Sequence, residues 1–224
     1  EDHFDRVYEL DDALVKKDKL AELESVTSWL PEPGELSYVR QPEPLGLGHA
    51  VWCARHLVGD EPFAVILVDD LIVADVPCLR QMVEAHAETG GNIVAVEEVP
   101  AQHTNRYGVL DPAESDGRLV RVKGLVEKPD PVRAPSRLAI IGRYILLPEV
   151  FEHLHRHQTG AGGEIQLTDA MARMINRPSF YGLRFAGQRF DCGSRAGYLE
   201  AIVACASARD DMRAEMRAIL ERHR

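Results

Sequence analysis

No stretch of this chain is apolar for long enough to cross a membrane as a helix, which takes about 20 such residues. Its opening, EDHFDRVYEL, lacks the basic, apolar and small-residue layout of a secretion signal. Cysteine is scarce and unpatterned. Cys53, Cys78, Cys192 and Cys205 fall in no Cys-x-x-Cys pair. Neither a zinc spacing nor a disulfide framework can be read, and small buried thiols in a reducing compartment are expected. Positive charge is in deficit: 26 Lys and Arg against 36 Asp and Glu give a net charge of -10. That balance argues against non-specific nucleic-acid binding, which needs a basic surface. There is no internal repeat and no low-complexity linker. These absences point to a cytoplasmic protein with neither a membrane nor a nucleic acid as partner.

What is present is ordinary globular material. The 224 residues, 45% hydrophobic and 28% charged, suffice for one large domain with a full core. Apolar periodicity predicts a helix over Asp11 to Trp29, ended by Pro31, Pro33 and Gly34. A short strand is expected at Leu36 to Arg40 and a short helix at His49 to Leu57. Phe63 to Val68 is a continuous apolar run, as in a strand covered on both faces. A helix over Pro77 to Thr89 closes at Gly90 and Gly91, and further strands are expected at Asn92 to Val99, Tyr107 to Leu110, Leu119 to Lys128, Leu138 to Leu147 and Phe180 to Phe185. Helices are expected at Pro148 to His157, Glu164 to Ile175 and Arg195 to Arg224, the last broken near Ala208 to Asp210. This alternation predicts an α/β fold with a mixed sheet. The last helix also offers an oligomer contact.

The richest stretch runs from Gln41 to Asp70. Gly46 and Gly48 let backbone pass close to a ligand, because no Cβ intervenes. Asp69 and Asp70 then sit at the carboxyl end of a strand, where open α/β sheets bind ligands. Carboxylates there suit Mg²⁺, a hard cation often shared with substrate phosphates. A turn or a helix cap accounts for paired aspartates equally well. If the ligands are phosphates, local cations or Mg²⁺ must overcome an unfavourable global charge. Likewise Glu127-Lys128 reads either as a binding pair or as a solvated surface ion pair. His153, His155 and His157 read as a solvated helix end, since only His153 and His157 share a face.

Six segments stand out, in this order along the chain: Gln41-Pro-Glu-Pro-Leu-Gly46, Val68-Asp69-Asp70, Arg106-Tyr107-Gly108-Val109, Val126-Glu127-Lys128-Pro129, Gly163-Glu164-Ile-Gln166-Leu-Thr168-Asp169 and Phe190-Asp191-Cys-Gly193. In this order and spacing the chain resembles the sugar-1-phosphate nucleotidyltransferases, and within them the uridylyl-transferring branch, over essentially its whole length. The resemblance implies a Rossmann-like nucleotidyltransferase fold, with a central mixed, mostly parallel sheet flanked by helices in a single domain. It implies Mg²⁺-assisted formation of UDP-glucose and pyrophosphate from UTP and glucose 1-phosphate by in-line attack, and a homodimer or homotetramer. Gln41 and Gly46 match the uracil readers. Asp69, near the α-phosphate, and Asp191 match the two metal carboxylates. Gly108 and Glu127 match sugar contacts, and Lys128 matches the lysine that meets the sugar phosphate. Glu164 to Asp169 is expected to be structural, as an acidic helix start, and Arg143 is expected to face the anionic cleft.

Two departures from the family stand out. Its Gly-x-Gly-Thr-Arg phosphate loop with the first strand, and a Lys-Glu-x-x-Pro segment, are not found, and are expected before Glu1 within about 60 residues, or two βα units. Position 68 holds valine where the family usually has proline or glycine. Three alternatives stay open: a silent nucleotide-sugar-binding module, a transferase for another nucleotide and sugar, and a glycosyltransferase that releases UDP.

Overall fold

The computed structural model describes residues 2–115, 117–175 and 179–223, in two compact units, residues 1–42 and residues 43–224. In the first unit, two helices, α1 (Tyr8–Lys16) and α2 (Leu20–Thr27), replace the single helix expected over Asp11 to Trp29. The break sits at Asp18, whose φ of 56° is left-handed. Aspartate is one of the few non-glycine residues that visit this region at modest cost. Trp29 packs against His3 and Phe4, with ring centroids 4.9 and 6.2 Å away. Residues 36–40 are exposed and join no sheet, so the strand expected there does not form.

The second unit contains, in chain order, α3 (Leu47–Cys53), α4 (Arg55–Val58), β1 (Phe63–Ile66), β2 (Asp70–Val73), α5 (Cys78–Thr89), β3 (Asn92–Glu98), β4 (Gly108–Ser115), β5 (Leu119–Glu127) and β6 (Leu138–Leu146). These are followed by α6 (Val150–Leu154), α7 (Leu167–Met174), β7 (Phe180–Arg184), β8 (Gln188–Asp191), α8 (Arg195–Ala208) and α9 (Arg213–Arg222). The expected C-terminal helix is thus divided in two, and its end point, Arg224, lies outside the described residues.

Among the described residues six strands form one sheet in the order β1-β6-β3-β7-β5-β4. β1, β3, β4 and β7 run one way; β5 and β6 run the other and lie between them. The sheet is mixed and flanked by helices, as expected. Most of its strands share a direction, but among the described pairings only β3 with β7 is parallel. The physical reason is that an inserted antiparallel strand separates the others. Parallel neighbours need a crossover, whereas β4 and β5 follow one another as a hairpin.

The period-two rule divides the core between the faces. Val94 and Val96 on β3, with Ile140 and Tyr144 on β6, point to one face and join Leu154, Leu167 and Met171 from α6 and α7. Ile93, Ala95, Ile141 and Ile145 point to the other and meet Cys78, Met82 and Ala85 of α5. β6 is buried at eight of its nine positions, hence its unbroken apolar sequence. β1 differs from expectation. Ala64 and Ile66 are exposed, so this strand is not covered on both faces. β2 and β8 pair as a separate antiparallel ribbon, in two segments where the sequence predicts no strand.

Candidate active site

β1 pairs with β6 as far as Arg143, and β4 takes up the pairing at Ala139. Between these points Ile140 and Gly142 face a cleft of about 390 Å³. Its walls bring together five of the residues marked in the sequence: Asp69, Gly108, Glu127, Lys128 and Asp191. Gly46 does not line it, although Leu47, its neighbour, does. Gln41 belongs to the other unit, where it is half-buried.

Asp69 leaves the turn between β1 and β2. Its carbonyl accepts the backbone N–H of Cys192 at 2.7 Å, which ties it to the chain just past β8. Asp191 ends β8 against the start of α8. Ser194 caps that helix by accepting the Gly197 N–H at 3.1 Å, and donates its hydroxyl to the Asp191 carbonyl at 3.0 Å. The two carboxylates converge on Gly193. A Cβ there would stand 3.1 Å from Oδ2 of Asp69 and 3.2 Å from Oδ1 of Asp191. Asp191 Oδ2 also meets Arg106 at 3.5 Å and the Tyr107 hydroxyl at 3.4 Å.

The second half of the site is built on β4 and β5. Gly108 lies opposite Glu127 in the ladder. A Cβ on Gly108 would come within 2.9 Å of the Thr168 hydroxyl and 3.2 Å of Glu127 Oε2. Glycine therefore keeps open a small space bounded by a hydroxyl and a nearly buried carboxylate. Lys128 turns the chain with a φ of 45°, held by its N–H to the Tyr107 carbonyl at 3.0 Å. Its ammonium reaches Glu127 at 3.7 Å.

Gly46 and Gly48 serve a different contact from the one expected. The places of their missing Cβ atoms are filled by the Glu164–Gln166 segment and, at Gly48, also by the Leu154 side chain, not by open cleft. Gly48 donates to the Ile165 carbonyl at 2.9 Å, and Ile165 donates to that of Leu45 at 2.7 Å. This close approach draws Glu164, Gln166 and Thr168 to the cleft wall. Arg143 corrects another expectation. Its guanidinium donates to the carbonyls of Leu67 and Gly142, both at 2.8 Å, and to that of Asp70. It braces backbone, and it is not among the residues lining the cleft.

Sequence reasoning assigned no role to Tyr107, Tyr144 or Arg189 and only a structural one to Thr168; all four also line the cleft. Tyr107 stood in a marked motif, and that was the available signal. Burial pushes the Tyr144 phenol well above its ordinary pKa, with the charges of Asp70, Glu127 and Asp69 adding to the effect. Tyr144 is therefore neutral and a hydroxyl donor across the physiological range. Arg189 is shifted upward: burial alone would lower it, but Asp70 and hydrogen bonds to Tyr107 and Asp70 outweigh that.

Among the described residues five carboxylates line the cleft against three cations, Arg106, Lys128 and Arg189. Among the described residues no cluster of three or more His, Cys, Asp or Glu could hold a metal by itself. That includes the three histidines, of which His155 and His157 lie exposed beyond the end of α6. Two converging carboxylates with open space beside them suit Mg²⁺, which binds through one or two carboxylates and completes its shell with water and substrate phosphate.

The profile of the nucleotidyl transferase family matches residues 13–208. The chain belongs to that family. A UTP–glucose-1-phosphate uridylyltransferase of Komagataeibacter xylinus is 48% identical over 194 residues, covering 87% of this chain and 68% of the relative. A crystal structure of a UDP-glucose pyrophosphorylase complexed with UDP-glucose superposes with a TM-score of 0.80 at 40% identity. That superposition covers 93% of this chain and 76% of the other. The UTP-bound enzyme of Acinetobacter baumannii gives a TM-score of 0.86 at 35% identity, over 97% and 76%. Membership thus covers most of this nucleotidyltransferase chain, including every residue placed in the cleft.

Proposed function

We propose that this nucleotidyltransferase joins UTP and glucose 1-phosphate to give UDP-glucose and pyrophosphate. The observation that carries this reading is the convergence of Asp69 and Asp191 on Gly193, in the same cleft as the Gly108–Glu127–Lys128 corner. Relatives carrying the uridylyltransferase name, and a neighbour holding UDP-glucose, support the choice of substrates.

In the reaction an oxygen of the sugar phosphate forms a bond to the α-phosphorus of UTP. The bond from that phosphorus to the β-phosphate bridging oxygen breaks in line, and pyrophosphate carries the electron pair away. Little covalent help is needed; position and charge neutralisation dominate. Glu127, 10% exposed, accepts from sugar hydroxyls, with the Thr168 hydroxyl and the open space at Gly108 beside it. Lys128 places a compact positive charge at the sugar phosphate. Asp69 and Asp191 would hold Mg²⁺, which would supply positive charge to neutralise and orient the α-phosphate.

The remaining assignments are cytoplasmic location, homo-oligomer and no nucleic-acid partner. They are supported by four unpaired cysteines, by exposed Tyr198, Leu199 and Ile202 on α8 and by the net charge of -10. The test is pyrophosphate release with Mg²⁺ across a panel of nucleotides and sugar phosphates. Selective release from UTP with glucose 1-phosphate, nearly abolished by Asp69→Ala or Asp191→Ala, is expected. Preference for another pair would overturn the substrate assignment. Full activity in both variants would overturn the metal assignment.

A further inference from the structure

Asp69 and Asp191 reach the cleft from a ribbon of two four-residue strands, a slender support for a pair of acids. In that ribbon Asp70 lies opposite Asp191. Asp70 Oδ2 accepts the backbone N–H of Gly142, on β6, at 2.8 Å. Its other oxygen pairs with Nε of Arg189, on β8, and the two side chains are only 10% and 7% exposed. A side chain larger than hydrogen at position 142 would collide with Asp70 Oδ2. Arg189 extends further: Nη1 lies 3.5 Å from Glu97 at the end of β3, and its guanidinium carbon stands 5.2 Å from the centre of the Tyr107 ring. The Tyr107 hydroxyl in turn donates to Asp191. One buried ion pair therefore ties the ribbon to β6 and reaches β3. Asp69 immediately precedes one partner, and Asp191 follows two residues after the other.

We propose that Asp70 and Arg189 are positioning residues that fix the separation of Asp69 and Asp191 for a divalent cation shared with a nucleotide phosphate, Tyr107 carrying the restraint to Asp191. The inference rests on the metal-assisted transfer proposed above. A buried ion pair is a poor source of net stability, because desolvation offsets the attraction. Its presence beside the two acids is better accounted for by what it holds in place. Mg²⁺ demands oxygens close to ideal octahedral positions at about 2.1 Å, so slippage of either strand would cost affinity.

The test uses Mn²⁺ as probe, titrated into the protein with UDP-glucose present and read by water-proton relaxation, alongside initial rates and melting midpoints. Asp70→Asn and Arg189→Gln are each expected to raise the Mn²⁺ dissociation constant about tenfold, as loss of a residue supporting metal ligands does. They should lower kcat by a similar factor and leave KM for glucose 1-phosphate within about twofold. The double variant should be no worse than the poorer single one. Variants that melt earlier yet bind Mn²⁺ as the parent does would overturn the proposal and leave the pair a structural one. If both variants fail to fold, Tyr107→Phe decides, since it leaves the buried pair intact: weaker Mn²⁺ binding supports the proposal and unchanged binding overturns it. A parent protein that binds Mn²⁺ but releases no pyrophosphate defeats the transfer reading alone. One that binds no Mn²⁺ defeats this inference.

Discussion

Two glycines divide the cleft at the scale of single atoms. Gly193→Ala would push a methyl group between the Asp69 and Asp191 carboxylates, so kcat should fall by roughly tenfold to a hundredfold, the scale of disturbing a metal site's support, with the melting midpoint nearly unchanged. Gly108→Ala would instead crowd Thr168 and Glu127. Here KM for glucose 1-phosphate should rise while KM for UTP holds. Steady-state kinetics with each substrate varied in turn separates the two. Gly34 is a control: nothing lies within 4 Å of its would-be Cβ, but φ is +92°, so Gly34→Ala should cost about 1 kcal/mol in a denaturant titration. At this scale the sequence was legible where a charged residue interrupts an apolar run, as at Asp69 and Glu127. It was not legible at Thr168, whose place at a helix start already has a structural explanation. Nor does Asp69-Asp70 declare which carboxylate turns inward, because that depends on Gly142 and Arg189, both distant in sequence.

Among elements, the buried strands were the easiest to read. β3, β5 and β6 and the helix α5 carry patterns set by burial on known faces, and their observed bounds lie close to those expected. β2 and β8 escaped because the ribbon buries Asp70 and holds Arg189 where an apolar residue would announce a strand. The join between β1 and β2 depends on Arg143, which donates to three backbone carbonyls. Arg143→Met keeps much of the side chain's bulk and removes those donors. It should lower unfolding free energy by about 2–3 kcal/mol, the scale of hydrogen bonds from a charged group, as measured by urea denaturation. Activity should fall less than stability, because the guanidinium does not line the cleft.

At the scale of the whole molecule, buried acids make stability depend on alkaline pH. Burial pushes the Cys78 thiol from 9.0 up to about 11, with Arg143 opposing, and the Tyr144 phenol is raised for the same reason. A group whose folded pKa lies above its unfolded value stabilises the fold below the unfolded value. That contribution is lost as pH rises through the folded one. Stability measured by denaturant titration should therefore fall from about pH 9 upward, because the unfolded chain ionises these two groups at lower pH than the folded one does, and Cys78→Ala should flatten part of that decline. In thiol labelling at pH 8, exposed Cys205 should react well before buried Cys78.

The ribbon has a further consequence, in time and not in space. Asp70 and Arg189 are 119 residues apart along the chain. Helix α5 and the β4–β5 hairpin can form from neighbours, but this contact must wait for a long loop to close. The pair of acids is thus among the last features a refolding chain acquires. Recovery of Mn²⁺ binding should lag behind recovery of far-ultraviolet circular dichroism, so a chain that has regained its shape to that spectroscopic eye should still, for an interval, be blind to the cation proposed for it.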